Sequence, residues 1–151
     1  MTRPEEQIQR AGDIIIRLPG PPRGKGRHRY STKDGMRRMH ADAASLKYER
    51  ELGKAGMAAW PRAPIAGPLA VRVVANMPIP KSWSKSKQFD ARTGQLPHTT
   101  KPDADNILKM LDALNGIVWI DDAQITMASV EKRYSAQPEL VVIVRQEGCW
   151  I

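Results

Sequence analysis

Four aspartates and one lysine in the last third of the chain have a spacing that suits metal-dependent chemistry. Asp103 and Asp105 lie two residues apart ahead of a predicted helix, and Asp121 and Asp122 follow a short strand about 16 residues later. In extended backbone, side chains two residues apart point the same way, so the first pair can present two carboxylates together. Gathered carboxylates repel each other unless a cation lies between them, and oxygen ligands favour Mg²⁺ or Mn²⁺ over zinc. Lys109 lies one helical turn beyond Asp105, within reach of the same space.

A plainer interpretation of both aspartate pairs stays open at this point. Acids at the start of a helix are favoured by the helix dipole, and an Asp-Asp pair is common in a solvated turn. A calcium-binding EF-hand loop is excluded, because Leu108 and Leu114 occupy the positions where that loop needs its glycine and its terminal acid. The residues alone therefore leave a metal site and a pair of structural turns as alternatives.

Several other chemistries have no matching pattern in the chain. The glycine-rich stretch 20–26 lacks the spacing of a phosphate-binding loop, so we expect no nucleotide cofactor. His28, His40 and His98 fall in no metal-ligand spacing. Cys149 is the single cysteine, which excludes a disulfide framework and a cysteine zinc cluster.

The 151-residue chain carries a formal net charge of +8, divided unevenly along its length. Residues 1–102 contain 20 Lys or Arg and 8 Asp or Glu, a net +12, whereas residues 103–151 contain 4 and 8, a net −4. A uniformly basic protein would suggest only a polyanionic partner. This asymmetry suggests a polyanion that is held by one region and acted on by carboxylates in the other.

Hydrophobic patterning predicts the elements that position these acids. Strands are expected over residues 14–18, 69–77, 125–134 and 139–144. The last two are expected to pair as a hairpin around residues 135–138. Helices are expected over about 41–59 and 103–114, the second closed by Asn115-Gly116. We therefore expect one α/β (α+β) domain over residues 1–151, with a small mixed sheet of about four strands packed with two main helices.

The sequence contains no pattern typical of a membrane protein. The longest uninterrupted aliphatic run, residues 140–144, is five residues long, against the roughly 20 that span a bilayer. The first nine residues carry acids instead of the apolar region of a signal peptide. We therefore expect a cytoplasmic protein without a membrane partner.

The acidic stretch also resembles a known family. Its motifs are Lys-Pro-Asp-Ala-Asp-Asn-Ile-Leu-Lys at 101–109, Asp-Ala-Leu-Asn-Gly at 112–116 and Val-Trp-Ile-Asp-Asp-Ala-Gln-Ile at 118–125. They resemble the RusA family of Holliday junction resolvases, of the kind found in phages or prophages. Weaker resemblance extends over most of the chain. The resemblance implies a RusA-like nuclease domain, with an acidic catalytic segment at 103–125.

The resemblance also implies roles for the site residues. Asp103, Asp105 and Asp122 match the family's essential acids, Lys109 matches its catalytic lysine, and Asp121 matches the adjacent supporting acid. All four aspartates would serve as metal ligands. The chain departs from the family pattern at one point, because the interval from Lys109 to Asp112 is one residue shorter. One residue turns a helix by about 100°, so the orientation of Asp112 is left in question.

Two basic segments are expected to hold DNA phosphates without reading bases. The first is a loop over about 20–40, with Arg23, Lys25, Arg27, Arg29, Lys33, Arg37 and Arg38. The second is a long polar flap over about 78–102, with Lys81, Lys85, Lys87 and Lys101. Trp83 and Phe89 are the large apolar residues of the flap, and either contact unstacked bases or anchor the flap.

The resemblance implies an endonuclease that acts in DNA recombination and repair in a bacterial or phage-infected cell. Its cofactor would be Mg²⁺, with Mn²⁺ as a substitute, and its substrate four-way junction DNA. Symmetric nicking needs two sites that face opposite strands, which implies a homodimer. Two alternatives remain: a metal-dependent nuclease without structure preference, and a non-catalytic DNA-binding protein on the same scaffold.

Overall fold

The computed structural model describes residues 10–26, 29–33, 35–40 and 42–146. Its helices are α1 (Ala43–Ala59), α2 (Lys85–Arg92) and α3 (Ala104–Lys109). Its strands are β1 (Ile14–Pro19), β2 (Arg29–Lys33), β3 (Met36–His40), β4 (Leu69–Pro78), β5 (Ile125–Ser135) and β6 (Glu139–Arg145). None of the helices in the described part of the chain is long and apolar enough to cross a membrane.

A four-stranded mixed sheet forms the centre of the fold, in the order β1-β6-β4-β5. β4 pairs parallel with β5, whereas β6 pairs antiparallel with both β1 and β4. The predicted α+β domain with a small mixed sheet is therefore confirmed. β2 and β3 form a separate two-stranded hairpin.

The predicted hairpin between the last two strands is wrong, because β4 lies between them. β4 and β6 are buried along almost their whole length, which suits central strands that are covered on both faces. β5 is exposed from Thr126 to Ser129, which suits an edge strand with one hydrogen-bonded neighbour. Burying β4 between two strands stabilises the sheet more than the direct pairing of β5 with β6 that the short connection at 136–138 would favour.

The main core packs α1 and the segment after α3 on one face of the sheet. Gly56 of α1 allows the closest approach, because a Cβ there would lie 2.7 Å from Cδ2 of Leu114 and 3.1 Å from Cγ2 of Val118. Trp119, which has no exposed surface, completes this packing. The chain between the two aspartate pairs is thus fixed against the body of the protein.

Three predicted segments differ in local structure. The predicted helix over 103–114 is α-helical only to Lys109 and continues as a 3₁₀ turn over Met110–Leu114, which buries Met110, Leu111 and Leu114. A tighter last turn is common at helix ends. The polar flap over 78–102 contains α2, whose first turn is capped by the Ser84 hydroxyl. The basic loop over 20–40 contains β2 and β3.

Candidate active site

The first aspartate pair lies at the start of α3. Asp103 is the extended residue before the helix, with φ −70° and ψ 149°, whereas Asp105 is inside the first turn. The predicted alternation along extended backbone is therefore wrong for this pair. Each carboxylate faces its own lysine: Asp103 Oδ2 lies 2.9 Å from Lys101 Nζ, and Asp105 Oδ2 lies 3.4 Å from Lys109 Nζ. The predicted proximity of Asp105 and Lys109 is thus present in the fold.

The second pair lies in a tight turn between Trp119 and β5. Asp121 caps the short 3₁₀ turn Asp122–Gln124, accepting a hydrogen bond from the Ala123 N–H. The Gln124 side-chain oxygen in return accepts from the backbone N–H groups of Ile120 and Asp121, each at 2.9 Å. This reciprocal arrangement is a capping box, and it holds the backbone of the acidic turn.

Gln124 also ties this turn to the chain ahead of β4. Its amide donates to the carbonyl oxygens of Ile65 at 2.8 Å and Gly67 at 2.9 Å. The oxygen and the nitrogen of the Gln124 amide are therefore both hydrogen-bonded. These bonds fix the position of Asp121 relative to the body of the protein. Sequence reasoning gave Gln124 no role, although an Asp followed three residues later by a Gln is the readable signal of such a box.

The carboxylates around the second turn act on one another. The pKa of Asp122 is raised by desolvation and then by the neighbouring carboxylates of Asp121 and Asp112. Asp112 in turn accepts a hydrogen bond from the Lys25 ammonium at 3.0 Å, and Glu49 lies 3.6 Å from the same nitrogen. The hydrogen bond with Asp112 is the main cause of the raised pKa of Lys25. Asp112, which the sequence left in question, therefore belongs to this cluster.

The basic loop touches α3 directly at residues 24 and 25. The Lys25 N–H donates to the carbonyl oxygen of Asn106 at 2.9 Å. Gly24 packs so closely that an added Cβ would lie 2.9 Å from the Asn106 Cβ and 3.0 Å from the Pro102 Cβ. The start of the loop predicted to hold phosphate is thus built against the acidic segment.

A family comparison fits this geometry. The family model described as "Endodeoxyribonuclease RusA" matches residues 19–145, a range that contains α1 to α3 and the whole acidic segment. The chain belongs to the RusA family. The resemblance read from residues 101–125 is therefore confirmed, and the family assignment makes the chain a member of a group of DNA nucleases.

A relative of similar length aligns with most of this RusA-family chain. It is the "Uncharacterized protein YqaN" of Bacillus subtilis (strain 168), 36% identical over 136 residues, which are 88% of this chain and 96% of the relative. Because its name states no activity, the nuclease assignment rests on the RusA family.

The acidic segment of this RusA-family chain offers carboxylate oxygens, the donors that hard divalent cations prefer. Within the described ranges, no three Asp, Glu, His or Cys side chains lie close enough to hold a metal ion by themselves. Mg²⁺ commonly uses one or two protein carboxylates and completes its shell with water and substrate phosphate. Asp103, Asp105, Asp121 and Asp122 carry oxygen donors of that chemical kind.

The predicted DNA-binding residues are found in different surroundings. Lys25 and Lys101 pair with Asp112 and Asp103, so each ammonium group contacts a carboxylate of the acidic segment. Arg23 pairs with Asp42 at 3.4 Å. Arg29 and Lys33 lie in β2, Arg37 and Arg38 lie in β3, and Arg27 is outside the described residues.

The flap carries the remaining predicted lysines around α2. Lys81 precedes the helix, Lys85 begins it, and the Lys87 ammonium lies 4.0 Å from the centre of the Trp83 ring. Trp83 packs edge-on against Tyr134 of β5, with ring centres 5.3 Å apart, so it anchors the flap. Phe89 is 57% exposed and remains available to a partner.

Proposed function

We propose that the chain is a magnesium-dependent endonuclease that resolves Holliday junctions by paired symmetric nicks in DNA recombination and repair. One observation supports catalytic over structural acids most strongly. Asp103 and Asp105 stand at the start of α3, and each carboxylate lies beside a lysine ammonium. The Asp103 carboxylate is 50% exposed and that of Asp105 is 68% exposed, so a metal ion in solution could reach both.

The chain's own residues suggest a division of roles. Asp103, Asp105, Asp121 and Asp122 would hold Mg²⁺, with Mn²⁺ as a substitute. When bound, the metal supplies an activated water and stabilises the leaving 3′ oxygen. Lys109, 60% exposed beside Asp105, would offset the negative charge that develops on the attacked phosphate.

Binding of the DNA would fall to the basic loop, the β2–β3 hairpin and α2. The basic residues of these segments show no base-reading pattern in the sequence, so they would bind phosphates and contribute affinity that falls with salt. A two-fold homodimer would present two such sites to opposite strands of a four-way junction, as symmetric cutting requires.

A labelled synthetic four-way junction tests the proposal beside matched duplex and single strand, with and without Mg²⁺. Nicking of the junction alone, and only with Mg²⁺, is expected. Equal nicking of all three substrates would show a nuclease without structure preference. Binding without nicking would show a DNA-binding protein on a nuclease scaffold.

Asp105→Asn is expected to bind the junction as the wild type does and to lose nicking in Mg²⁺, because the amide removes one anionic ligand and keeps the shape. Single-turnover nicking and gel-shift affinity measure the two effects. Glu51→Gln, an acid-to-amide change at an exposed position of α1 outside the DNA-binding segments, is the matched control and should nick normally. Wild-type nicking by Asp105→Asn would contradict the assigned role.

A further inference from the structure

The side chain of Lys132 joins the edge strand β5 to the segment that leads into α3. Its ammonium donates to the carbonyl oxygen of Thr100 at 2.8 Å and to that of Pro102 at 3.0 Å. Lys132 itself is fixed in β5, where it lies opposite Ala75 of β4. A long-range contact thus holds two carbonyl groups immediately before Asp103.

Two further contacts restrain the same segment. His98, which is buried, packs its ring 4.8 Å from that of Tyr134, and its Nε2 lies 3.3 Å from the Thr100 hydroxyl. Gly24 packs so closely on Pro102 that an added Cβ would lie 3.0 Å from the Pro102 Cβ. Of these contacts, the hydrogen bond from Lys132 is the one made to the Pro102–Asp103 peptide group.

We propose that Lys132 is a positioning residue for Asp103 at the metal site. This inference rests on the proposed function. The Pro102 carbonyl belongs to the peptide unit whose nitrogen is that of Asp103, and peptide units are planar. Holding that oxygen therefore restrains the peptide plane that contains the Asp103 N and Cα, and so restrains the point from which the carboxylate side chain projects.

A lysine suits this position for a chemical reason. An ammonium has three donors and no acceptor, so it can serve two carbonyl oxygens at once from one nitrogen. The bonds are charge-assisted, which makes them stronger than neutral ones. Methionine has a similar length without donors, and arginine keeps charge and donors in a different geometry.

The experiment compares Lys132→Met, Lys132→Arg and the control Lys54→Met. Lys54 lies on α1 and pairs with Glu51, so its replacement removes the same charge without removing a bond to the Thr100 or Pro102 carbonyl. Three quantities are measured: hydrogen exchange over residues 98–107, Mn²⁺ binding by electron paramagnetic resonance, and the Mg²⁺ dependence of junction nicking.

For Lys132→Met, we expect faster hydrogen exchange in this segment and a Mn²⁺ affinity and nicking rate about 10- to 100-fold lower, the usual cost of losing a group that orients a ligand. Lys132→Arg is expected to recover part of each loss. Lys54→Met is expected to match the wild type in all three measurements. Junction affinity without metal should fall no more in Lys132→Met than in the control.

Unchanged exchange and unchanged Mn²⁺ affinity in Lys132→Met would overturn the proposal. If the wild type nicks no substrate, the proposed function fails, and the exchange and Mn²⁺ measurements still decide the role of Lys132. If Lys132→Met does not fold, Lys132→Gln takes its place, and Mn²⁺ affinity equal to that of the wild type would be decisive against a positioning role.

Discussion

Replacement of Gly24 by alanine should push the basic loop away from the acidic segment. A Cβ at this position would lie 2.9 Å from the Cβ of Asn106 and 3.0 Å from the Cβ of Pro102. Carbon atoms in contact are about 3.5–4.0 Å apart, so the loop has to retreat by about 0.5–1 Å. Side-chain repacking offers no relief, because both Cβ atoms move only with the backbone.

Two costs follow from that retreat. Extra methyl groups forced into packed sites lower the free energy of unfolding by about 1–3 kcal/mol. The retreat also stretches the 2.9 Å hydrogen bond from the Lys25 N–H to Asn106 and shifts the Lys25 ammonium relative to Asp112. A displacement of about 1 Å around reacting groups can lower a rate by about 100-fold.

Urea unfolding and single-turnover nicking of a four-way junction measure the two costs. Gly26→Ala is the matched control in the same loop, because its nearest contact would be a side-chain oxygen, Ser45 Oγ at 3.1 Å, which needs to shift by only a few tenths of an ångström. It is expected to stay close to the wild type in both assays. If Gly24→Ala unfolds within about 0.5 kcal/mol of the wild type and nicks normally, the loop is not held against α3 as described.

Two other side chains give predictions of their own. Asp13→Asn should lower the free energy of unfolding at pH 7 by about 3–5 kcal/mol, because it leaves the buried Arg145 guanidinium without the carboxylate that it contacts at 2.8 Å. Burial alone would raise the pKa of Asp13, but hydrogen bonds from Arg145 and the Arg10 N–H outweigh it and lower the pKa below 3.8. The stabilisation is therefore full above that value and is lost as pH falls through the lower folded pKa, so urea midpoints of wild type and variant should converge in acid; a constant gap would refute the pair's role. Gln124→Ala should cost about 1–3 kcal/mol in thermal unfolding and reduce nicking, whereas Gln124→Glu should keep the two accepted bonds; equal stability of Gln124→Ala and wild type would contradict the capping box.

The strand pattern shows where local reasoning was sufficient for the fold and where it was not. The strands over 14–18, 69–77, 125–134 and 139–144 were predicted close to their observed bounds, because alternation and apolar runs are local signals. The pairing of the last two was wrong, since the short connection at 136–138 favours a hairpin locally. The competing signal was the near-continuous apolar run of β4, which demands neighbours on both sides.

The candidate site also combines contacts that local sequence predicts with contacts that it does not. The closeness of Asp105 and Lys109 follows from helical spacing and was predictable, and the Asp121–Gln124 box was readable from its own four residues. The contacts of Lys132 were not predictable, because they join residues 30 and 32 positions apart through the sheet. Their partners are backbone carbonyls, which carry no sequence signal at all.

Lys25 shows why charge along the chain and charge in space differ. It belongs to the basic region and was predicted to bind phosphate, yet it bridges 87 positions to Asp112. Desolvation raises the pKa of Asp122, and the carboxylates of Asp121 and Asp112 raise it further, so a cation beside Asp112 reduces the repulsion within the cluster. The Lys25 ammonium partly offsets the negative charge that a bound metal ion would offset. Asp103 and Asp105 pair with other lysines, Lys101 and Lys109. The acidic segment is therefore paired with Lys25 and Lys101 from outside its own sequence, and with Lys109 from within it.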